Sequence, residues 1–223
     1  MTTRSFAVLG YSGLVGSHLA KMLAGDPRYA RGTLIGRRAT GALGAPHVSE
    51  VLVDFDHPEG ARRHLAADDV YCCLGTTIKK AGSQAAFHKV DRDIPVAMGR
   101  EARTAGATQF LIVTAVGADP SSRVFYSRVK GEAEAGLAAL DFPAGLKVFR
   151  PSLIVGERSE RRPAESIAMA LMSATRPLFA GGLARYRAIG AEEVARAMHR
   201  AAFTLAGPGV HVYEGRSLFA LAS

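Results

Sequence analysis

Two side chains suited to proton transfer, Tyr126 and Lys130, stand four residues apart in the segment YSRVK. On a helix this spacing places both on one face. A phenol has an ordinary pKa of about 10, and a neighbouring ammonium group lowers that pKa because it stabilises the phenolate. The pair could therefore donate a proton to a carbonyl oxygen while a hydride reaches the carbon, and Lys130 could also bind a nicotinamide ribose.

A hydroxyl group lies twelve residues before this tyrosine, at Thr114, directly after the apolar run 110–113 of a predicted strand. Its hydroxyl could hold the carbonyl of a substrate. The alternative is a strand-end hydroxyl bonded to backbone. The spacing of Tyr126 and Lys130 is common by chance, and the pair gains significance because it opens the helix that follows this strand.

Three glycines at strict three-residue intervals separate an apolar run, 6–9, from an amphipathic helical stretch that follows it. A turn of this kind brings backbone N–H groups and the positive end of the helix dipole to one point, which attracts a phosphate. Glycine is required there so that a diphosphate can approach the backbone and helix and strand can pack closely. The residues expected to meet it are Gly10, Ser12, Gly13, Leu14, Val15 and Gly16. The alternative is a tight turn that binds nothing.

Two arginines, Arg37 and Arg38, end the second strand at the position where NAD-binding proteins commonly have an acid for the ribose hydroxyls. A guanidinium group pairs with a 2′-phosphate through two parallel hydrogen bonds. The sequence therefore predicts NADP in preference to NAD. A solvated pair of surface arginines is the alternative.

Further cofactor contacts are predicted from position at the ends of the next two strands. Asp54 and Phe55 end strand three, where an adenine would lie. The segment CCLGTT ends strand four and contributes Leu74, Gly75 and Thr76, with the glycine allowing the backbone to pass close to the cofactor.

The elements that must position these residues alternate along the chain. Strands are predicted at 5–10, 32–37, 48–55, 68–75, 108–117, 145–154 and 211–215. Helices are predicted at 14–25, 58–66, 83–105, 123–140, 163–175 and 191–205. Apolar strands that alternate with helices indicate an α/β fold, a doubly wound parallel sheet of six to seven strands with helices on both faces. We expect one domain over 1–223, with a small substrate-side region at about 151–190.

Composition limits the classes of function. The formal net charge is +8, which favours anionic ligands, but the arginines are scattered and tryptophan is absent, which argues against nucleic acid. The two cysteines are adjacent, and we expect reduced thiols and no metal site. A first strand that starts by Ser5 leaves no room for a signal peptide, and no apolar run reaches the length of a membrane span. These features predict a cytoplasmic protein without a membrane contact.

Several motifs together resemble the extended or atypical branch of the short-chain dehydrogenases/reductases. They are GYSGLVG, the Tyr-x-x-x-Lys pair and RPSLIVGE; CCLGTTIKKAGS, KVDRDI, GAD and YSRVKGEAEA are most similar to the Tat-interacting oxidoreductase-like group. The resemblance covers essentially the whole chain and implies a Rossmann sheet with NADP across its carboxyl edge. It also implies that Arg150 to Ile154 pass near the nicotinamide, with Pro151 and Ser152 closest. It suggests a homodimer through the helices at 83–105 and 123–140.

Two positions depart from the family pattern. Thr114 stands where a catalytic serine is usual, and Asp91 stands where an asparagine is frequent. From its length we also expect the chain to lack the large C-terminal substrate domain of the sugar-nucleotide members. The sequence thus favours an NADP-dependent oxidoreductase acting on a small carbonyl or alcohol substrate. It leaves open an NADPH-binding sensor with little catalysis and a protein partner.

Overall fold

The computed structural model describes residues 3–41, 44–156, 186–204 and 206–223. The strands are β1 (Arg4–Leu9), β2 (Tyr29–Gly36), β3 (Val48–Leu52), β4 (Asp69–Cys72), β5 (Gln109–Val113), β6 (Leu146–Arg150), β7 (Ile154–Val155), β8 (Ile189–Gly190) and β9 (Val210–Glu214). The main sheet has seven parallel strands in the order β3-β2-β1-β4-β5-β6-β9, and a separate pair, β7 and β8, is also parallel. This confirms the predicted doubly wound sheet.

Helices connect these strands. They are α1 (Leu14–Ala24), a 3-10 helix (Pro58–His64), α2 (Ile78–Ala81), α3 (Gln84–His88), a π-helical segment (Lys89–Asp93), α4 (Ile94–Thr104), α5 (Phe125–Ala138), α6 (Ala191–Ala202) and α7 (Arg216–Ala222). The chain order reverses between β1 and β4. In open α/β sheets a ligand binds at such a point, at the carboxyl ends of the strands.

The sheet is buried on both faces because successive side chains of its central strands alternate between two apolar cores. In β1, Phe6 and Val8 face the core under α1, α6 and α7, whereas Ala7 and Leu9 face the core under the 3-10 helix, α4 and α5. All four side chains are at most 1% exposed. A strand with water on one side would alternate apolar and polar residues, so the continuous apolar run in β1 reflects this two-sided burial.

The structure differs from the predicted elements in a few places. The helix predicted at 83–105 is divided by the π-helical segment, and the strand predicted at 145–154 divides into β6 and β7. Neither α2 nor α7 was predicted, because each is short and the periodic signal is weak. The helix predicted at 163–175 and most of the substrate-side region expected at about 151–190 lie outside the described residues.

Candidate functional site

An open cleft of about 700 Å³ lies where the turn after β1, the ends of β4 and β5 and the start of α5 meet. It is the topological switch point of the sheet. Ten of the predicted site residues line it: Ser12, Gly13, Leu14, Val15, Leu74, Gly75, Thr76, Thr114, Tyr126 and Lys130. The fold therefore brings the glycine turn and the tyrosine–lysine pair, more than a hundred residues apart in sequence, to one cavity.

The glycine turn is so tight that two of its glycines admit no side chain. Gly10 has φ +78°, and a Cβ there would lie 3.0 Å from the backbone of Cys73 at the end of β4. A Cβ on Gly16 would lie 2.3 Å from the Gly10 carbonyl oxygen. The first requirement is conformational and the second is steric, and together they let α1 start directly against the sheet.

The N-terminus of α1 is open to an anion. Its N-cap residue, Gly13, offers no side-chain hydrogen bond, and the first turn contains no acidic residue. The initial N–H groups of a helix have no partner within the helix and carry the positive end of its dipole. Ser12, Gly13 and Leu14 line the cleft, so this helix N-terminus lies where a diphosphate could bind.

The two residues predicted for proton transfer both lie at the start of α5, but each contacts a different neighbour. The Tyr126 ring packs on Phe87 of α3, with ring centroids 5.5 Å apart, and its side chain is half-buried. The Lys130 Nζ forms an ion pair with Asp91 Oδ1 at 2.7 Å, and these side chains are 8% and 0% exposed. Lys130 is thus a buried cation whose charge is balanced from the π-helical segment.

Asp91 connects three parts of the site. Besides the ion pair with Lys130, its Oδ2 accepts a hydrogen bond from the Thr76 backbone N–H at 3.0 Å. A Cβ on Gly75 would lie 3.4 Å from Asp91 Oδ1 and 3.8 Å from Lys130 Nζ, so the loop after β4 passes directly over the ion pair. π-helical turns are rare in proteins as a whole, but those that occur are frequently found at functional sites. Here the π-helical segment positions the Asp91 carboxylate.

The Thr114 hydroxyl is bonded to a side chain of α5. Its Oγ1 donates to Glu134 Oε1 at 2.6 Å, and a longer contact of 3.4 Å reaches the Phe149 carbonyl. Arg150 of β6 grips the same carboxylate with two nitrogens, at 3.0 and 2.5 Å. The Glu134 hydrogen bond is the largest cause of the raised pKa of Arg150.

Other predicted cofactor residues lie outside the wall of this cleft. Arg37 and Arg38 are exposed after β2. Asp54 is exposed, and its carboxylate accepts a hydrogen bond from the Asp56 N–H. Phe55 lines a separate pocket of about 340 Å³ beside the 3-10 helix and the start of α4.

Pro151 and Ser152, at the end of β6, do not line the cleft, whereas Ile154 does. The Pro151 carbonyl accepts a hydrogen bond from Val116 N–H at 2.9 Å. The Ser152 hydroxyl donates to the Arg187 carbonyl at 2.5 Å. In the described part of the chain these two residues hold neighbouring backbone, and their predicted approach to the nicotinamide stays a prediction.

One polar partner of the site, Glu134, was missed from the sequence. Glu134 lies four residues after Lys130 and eight after Tyr126, so a regular four-residue spacing on one helix face was the available signal. Arg150 was expected near the nicotinamide by resemblance, but its ion pair with Glu134 was not expected, because that contact depends on how α5 packs against β6.

Comparisons with known proteins identify the fold and the family of the chain. No family model matches the chain. The rat protein HTATIP2 is 36% identical over 187 residues, which cover 82% of this chain and 76% of the relative. The mitochondrial protein fmp52 of Emericella nidulans is 35% identical over 168 residues, which cover 73% of this chain and 72% of the relative. The enzyme WbmH of Bordetella bronchiseptica, solved with NAD+, has a similar fold with a TM-score of 0.69 at 16% identity, and the match covers 95% of this chain and 75% of that one.

The strand order and the glycine turn define the fold as an NAD(P)-binding Rossmann fold. The sequence identity to HTATIP2, over most of both chains, also shows the family. The chain belongs to the atypical short-chain dehydrogenase/reductase family, in the Tat-interacting oxidoreductase-like group that includes HTATIP2.

The predicted cytoplasmic location is wrong. The fungal relatives, including those of Emericella nidulans, Aspergillus niger and Coccidioides immitis, are named as mitochondrial proteins. The prediction depended on an apparent absence of a targeting segment, which is weak evidence about location. Within the described ranges, none of the helices combines the length and the apolar character that a membrane crossing needs.

Proposed function

We propose that this protein is an NADP-dependent oxidoreductase that interconverts a small carbonyl compound and its alcohol, with Tyr126 as the general acid and base. One observation supports this above all. A single cleft contains an uncapped helix N-terminus at a glycine turn and the Tyr126–Lys130 pair. The first suits a dinucleotide diphosphate, and the second suits proton transfer at a carbonyl oxygen.

The residues present fit a dinucleotide. The turn from Ser12 to Val15 would hold the diphosphate, since these residues line the cleft at the uncapped N-terminus of α1. Gly75 would let the β4 loop lie against the nicotinamide ribose, and Arg37 and Arg38 would hold a 2′-phosphate at the adenosine end. When bound, the nicotinamide supplies or accepts the hydride.

Proton transfer is assigned to Tyr126. In the reducing direction its phenol O–H gives its proton to the substrate oxygen as the carbonyl carbon gains the hydride, and in the oxidising direction the phenolate takes the proton back. Lys130, one helical turn further along α5, would contribute a positive charge and a hydrogen-bond donor for the nicotinamide ribose. Part of that charge is balanced by Asp91, whose carboxylate lies 2.7 Å from the ammonium nitrogen.

Thr114 has a narrower role in this proposal than the sequence suggested. A hydroxyl has one proton, and that of Thr114 is donated to Glu134. Its remaining lone pairs can accept a hydrogen bond within the cleft, for example from the hydroxyl of an alcohol substrate. Thr114 therefore orients a donor, and Tyr126 alone polarises a carbonyl oxygen.

A second candidate function is an NADPH-binding sensor with little turnover. The ion pair between Lys130 and Asp91 favours this function, because a carboxylate 2.7 Å from the ammonium nitrogen balances the positive charge that would otherwise act on the reacting groups. In this case the cofactor would be bound by the same turn, and a protein partner would respond to its redox state.

Titration of the purified chain with NADPH and with NADH tests the cofactor, followed by a screen of aldehydes and ketones at saturating NADPH. The oxidoreductase proposal expects NADPH to bind more tightly than NADH and at least one carbonyl to be reduced. Tight NADPH binding with no turnover across the screen would favour the sensor.

The variant Tyr126→Phe isolates the proton step. We expect a loss of turnover of about a hundredfold or more, since a general acid typically contributes 10² to 10⁴. The affinity for NADPH should change little, because the ring and its packing on Phe87 are retained. Unchanged turnover on a competent substrate would contradict the role given to Tyr126.

A further inference from the structure

We infer that Tyr11, together with Glu50, positions the loop that would hold the 2′-phosphate and so determines the preference for NADP over NAD. This inference rests on the proposed NADP-dependent function and deepens it. Neither residue was expected from the sequence to affect the cofactor, and neither would touch the phosphate. Both are positioning residues for the loop at 37–41, which includes Arg37 and Arg38.

The Tyr11 ring is fixed between the glycine turn and the end of β2. The residue is 2% exposed although it lies in the turn itself. A Cβ on Gly36 would lie 2.8 Å from Tyr11 Cε1, so the ring packs directly on the backbone just before Arg37. A glycine is thus needed at the end of β2 to admit the ring.

The Tyr11 hydroxyl reaches beyond this contact to two acceptors. Its oxygen lies 2.9 Å from the Arg38 carbonyl oxygen and 3.0 Å from Glu50 Oε2, so its single proton is shared between them. Burial is the main cause of the raised pKa of Tyr11, and the Glu50 hydrogen bond adds to it, which keeps the phenol a donor at neutral pH. The turn predicted to hold the diphosphate is thereby bonded to the backbone of the arginine loop.

Glu50, on β3, holds the far side of the same loop. Its carboxylate accepts from the Thr40 N–H at 2.8 Å, the Thr40 hydroxyl at 3.1 Å and the Gly41 N–H at 3.3 Å. The Thr40 N–H is the largest cause of the lowered pKa of Glu50. The negative charge is therefore directed at donors of the loop backbone, and the carboxylate fixes the loop.

The arginine side chains on this loop are available for an anion. Both residues are exposed, and within the described residues neither guanidinium group has an ion-pair partner. Arg62, an exposed arginine elsewhere, is paired with Glu101 at 2.6 Å. A loop that is already ordered loses less conformational entropy when it binds, so fixing its backbone strengthens the grip on the one group that distinguishes NADP from NAD.

The test compares three variants with the wild-type chain. Tyr11→Phe removes only the hydroxyl, and Glu50→Gln removes the charge. Tyr29→Phe is the matched control, because Tyr29 is a 3% exposed tyrosine at the opposite end of β2 whose hydroxyl bonds to Asp69 and Tyr71. Dissociation constants are measured for NADPH and NADH, and for adenosine 2′,5′-bisphosphate and adenosine 5′-monophosphate, with thermal melts to confirm folding.

We expect the Tyr11→Phe and Glu50→Gln variants each to lower the preference for the 2′-phosphorylated partner of each pair by about threefold to tenfold, the value of one hydrogen bond. Binding of NADH and adenosine 5′-monophosphate should stay within about twofold, and the control should keep the wild-type ratio. A proportional weakening of all four ligands, or an unchanged ratio in both variants, would overturn the inference and leave the NADP proposal intact. A wild-type chain that binds NADPH and NADH equally would overturn both.

Discussion

The ammonium group of Lys130 and the carboxylate of Asp91 form an ion pair of 2.7 Å that is almost closed to solvent. Asp91 lies in the π-helical segment, and its second oxygen binds the backbone of the β4 loop. The predicted catalytic lysine, the loop expected to pass the cofactor and the helix of the tyrosine are thus joined by one carboxylate. Removing one partner of such a pair leaves an uncompensated charge in the interior.

We predict that Asp91→Ala lowers the free energy of unfolding by about 3 kcal/mol or more, because the Lys130 ammonium and the Thr76 N–H both lose their acceptor. Asp91→Asn should lower the free energy of unfolding by less, since the amide oxygen can still accept a hydrogen bond from the Thr76 N–H. Urea unfolding measures both. Asp56→Ala is the control, because the Asp56–Lys89 pair is exposed and should contribute little; equal losses in the two alanine variants would contradict the buried role.

A second prediction follows from the Thr114–Glu134 hydrogen bond and concerns the rate of turnover of a carbonyl substrate found in the screen. Thr114→Ser retains the hydroxyl and should keep turnover within about threefold, whereas Thr114→Val should lower it by about tenfold or more. The reason is that valine has a similar shape but cannot accept a hydrogen bond from the hydroxyl that forms as the carbonyl is reduced. Steady-state kinetics at saturating NADPH measure the effect, and full activity in the valine variant would exclude Thr114 from the mechanism.

The glycine turn makes a prediction that couples folding to cofactor binding. A Cβ on Gly16 would lie 2.3 Å from the Gly10 carbonyl, so Gly16→Ala must push α1 away from the turn. We expect a loss of stability of about 1–3 kcal/mol and no measurable binding of NADPH or NADH. Gly60→Ala is the matched control, because a Cβ at that position would meet no neighbouring atom of the described residues within 4 Å, and it should change neither quantity.

A buried lysine far from the site predicts how stability depends on pH. Lys147 is 1% exposed, its Nζ donates to the Ala201 and Thr204 carbonyls, and burial lowers its pKa to about 8. Between pH 8 and about 10.5 the unfolded chain therefore binds a proton that the folded chain has released, so stability rises with pH across this window.

Relative to Lys147→Met, the wild-type chain should gain about 2 kcal/mol of unfolding free energy between pH 7.5 and pH 10. The comparison must be made between the two chains, because burial raises the pKa of Cys72 to about 12 and this thiol acts in the opposite direction. Urea unfolding at several pH values measures it. Parallel pH curves for the two chains would show that Lys147 is not the group responsible.

Local patterns were sufficient for much of the fold and part of the site. The alternation of apolar strands with helices predicted the parallel sheet because strands buried on both faces have continuous apolar sequences, as β1 does. The spacing of the three glycines and the tyrosine–lysine pair likewise depend only on the geometry of one turn and one helix. These predictions concern residues close in sequence.

Contacts between distant segments could not be predicted in this way. The π-helical segment that turns Asp91 toward Lys130 has no recognised local signal, and the Thr114–Glu134–Arg150 cluster requires the register of β5 on β6. Each of these contacts joins side chains whose meeting depends on how whole elements pack.

The sequence by itself determined the doubly wound sheet, the glycine turn and the helix with Tyr126 and Lys130 on one face, because backbone periodicity and steric freedom are properties of short segments. Only the tertiary structure decided that Lys130 forms an ion pair with Asp91, that the Thr114 hydroxyl donates its proton to Glu134, and that the Tyr11 hydroxyl is hydrogen-bonded to the arginine loop. Those outcomes depend on distances of about 3 Å between side chains from different elements, which packing of the whole domain sets.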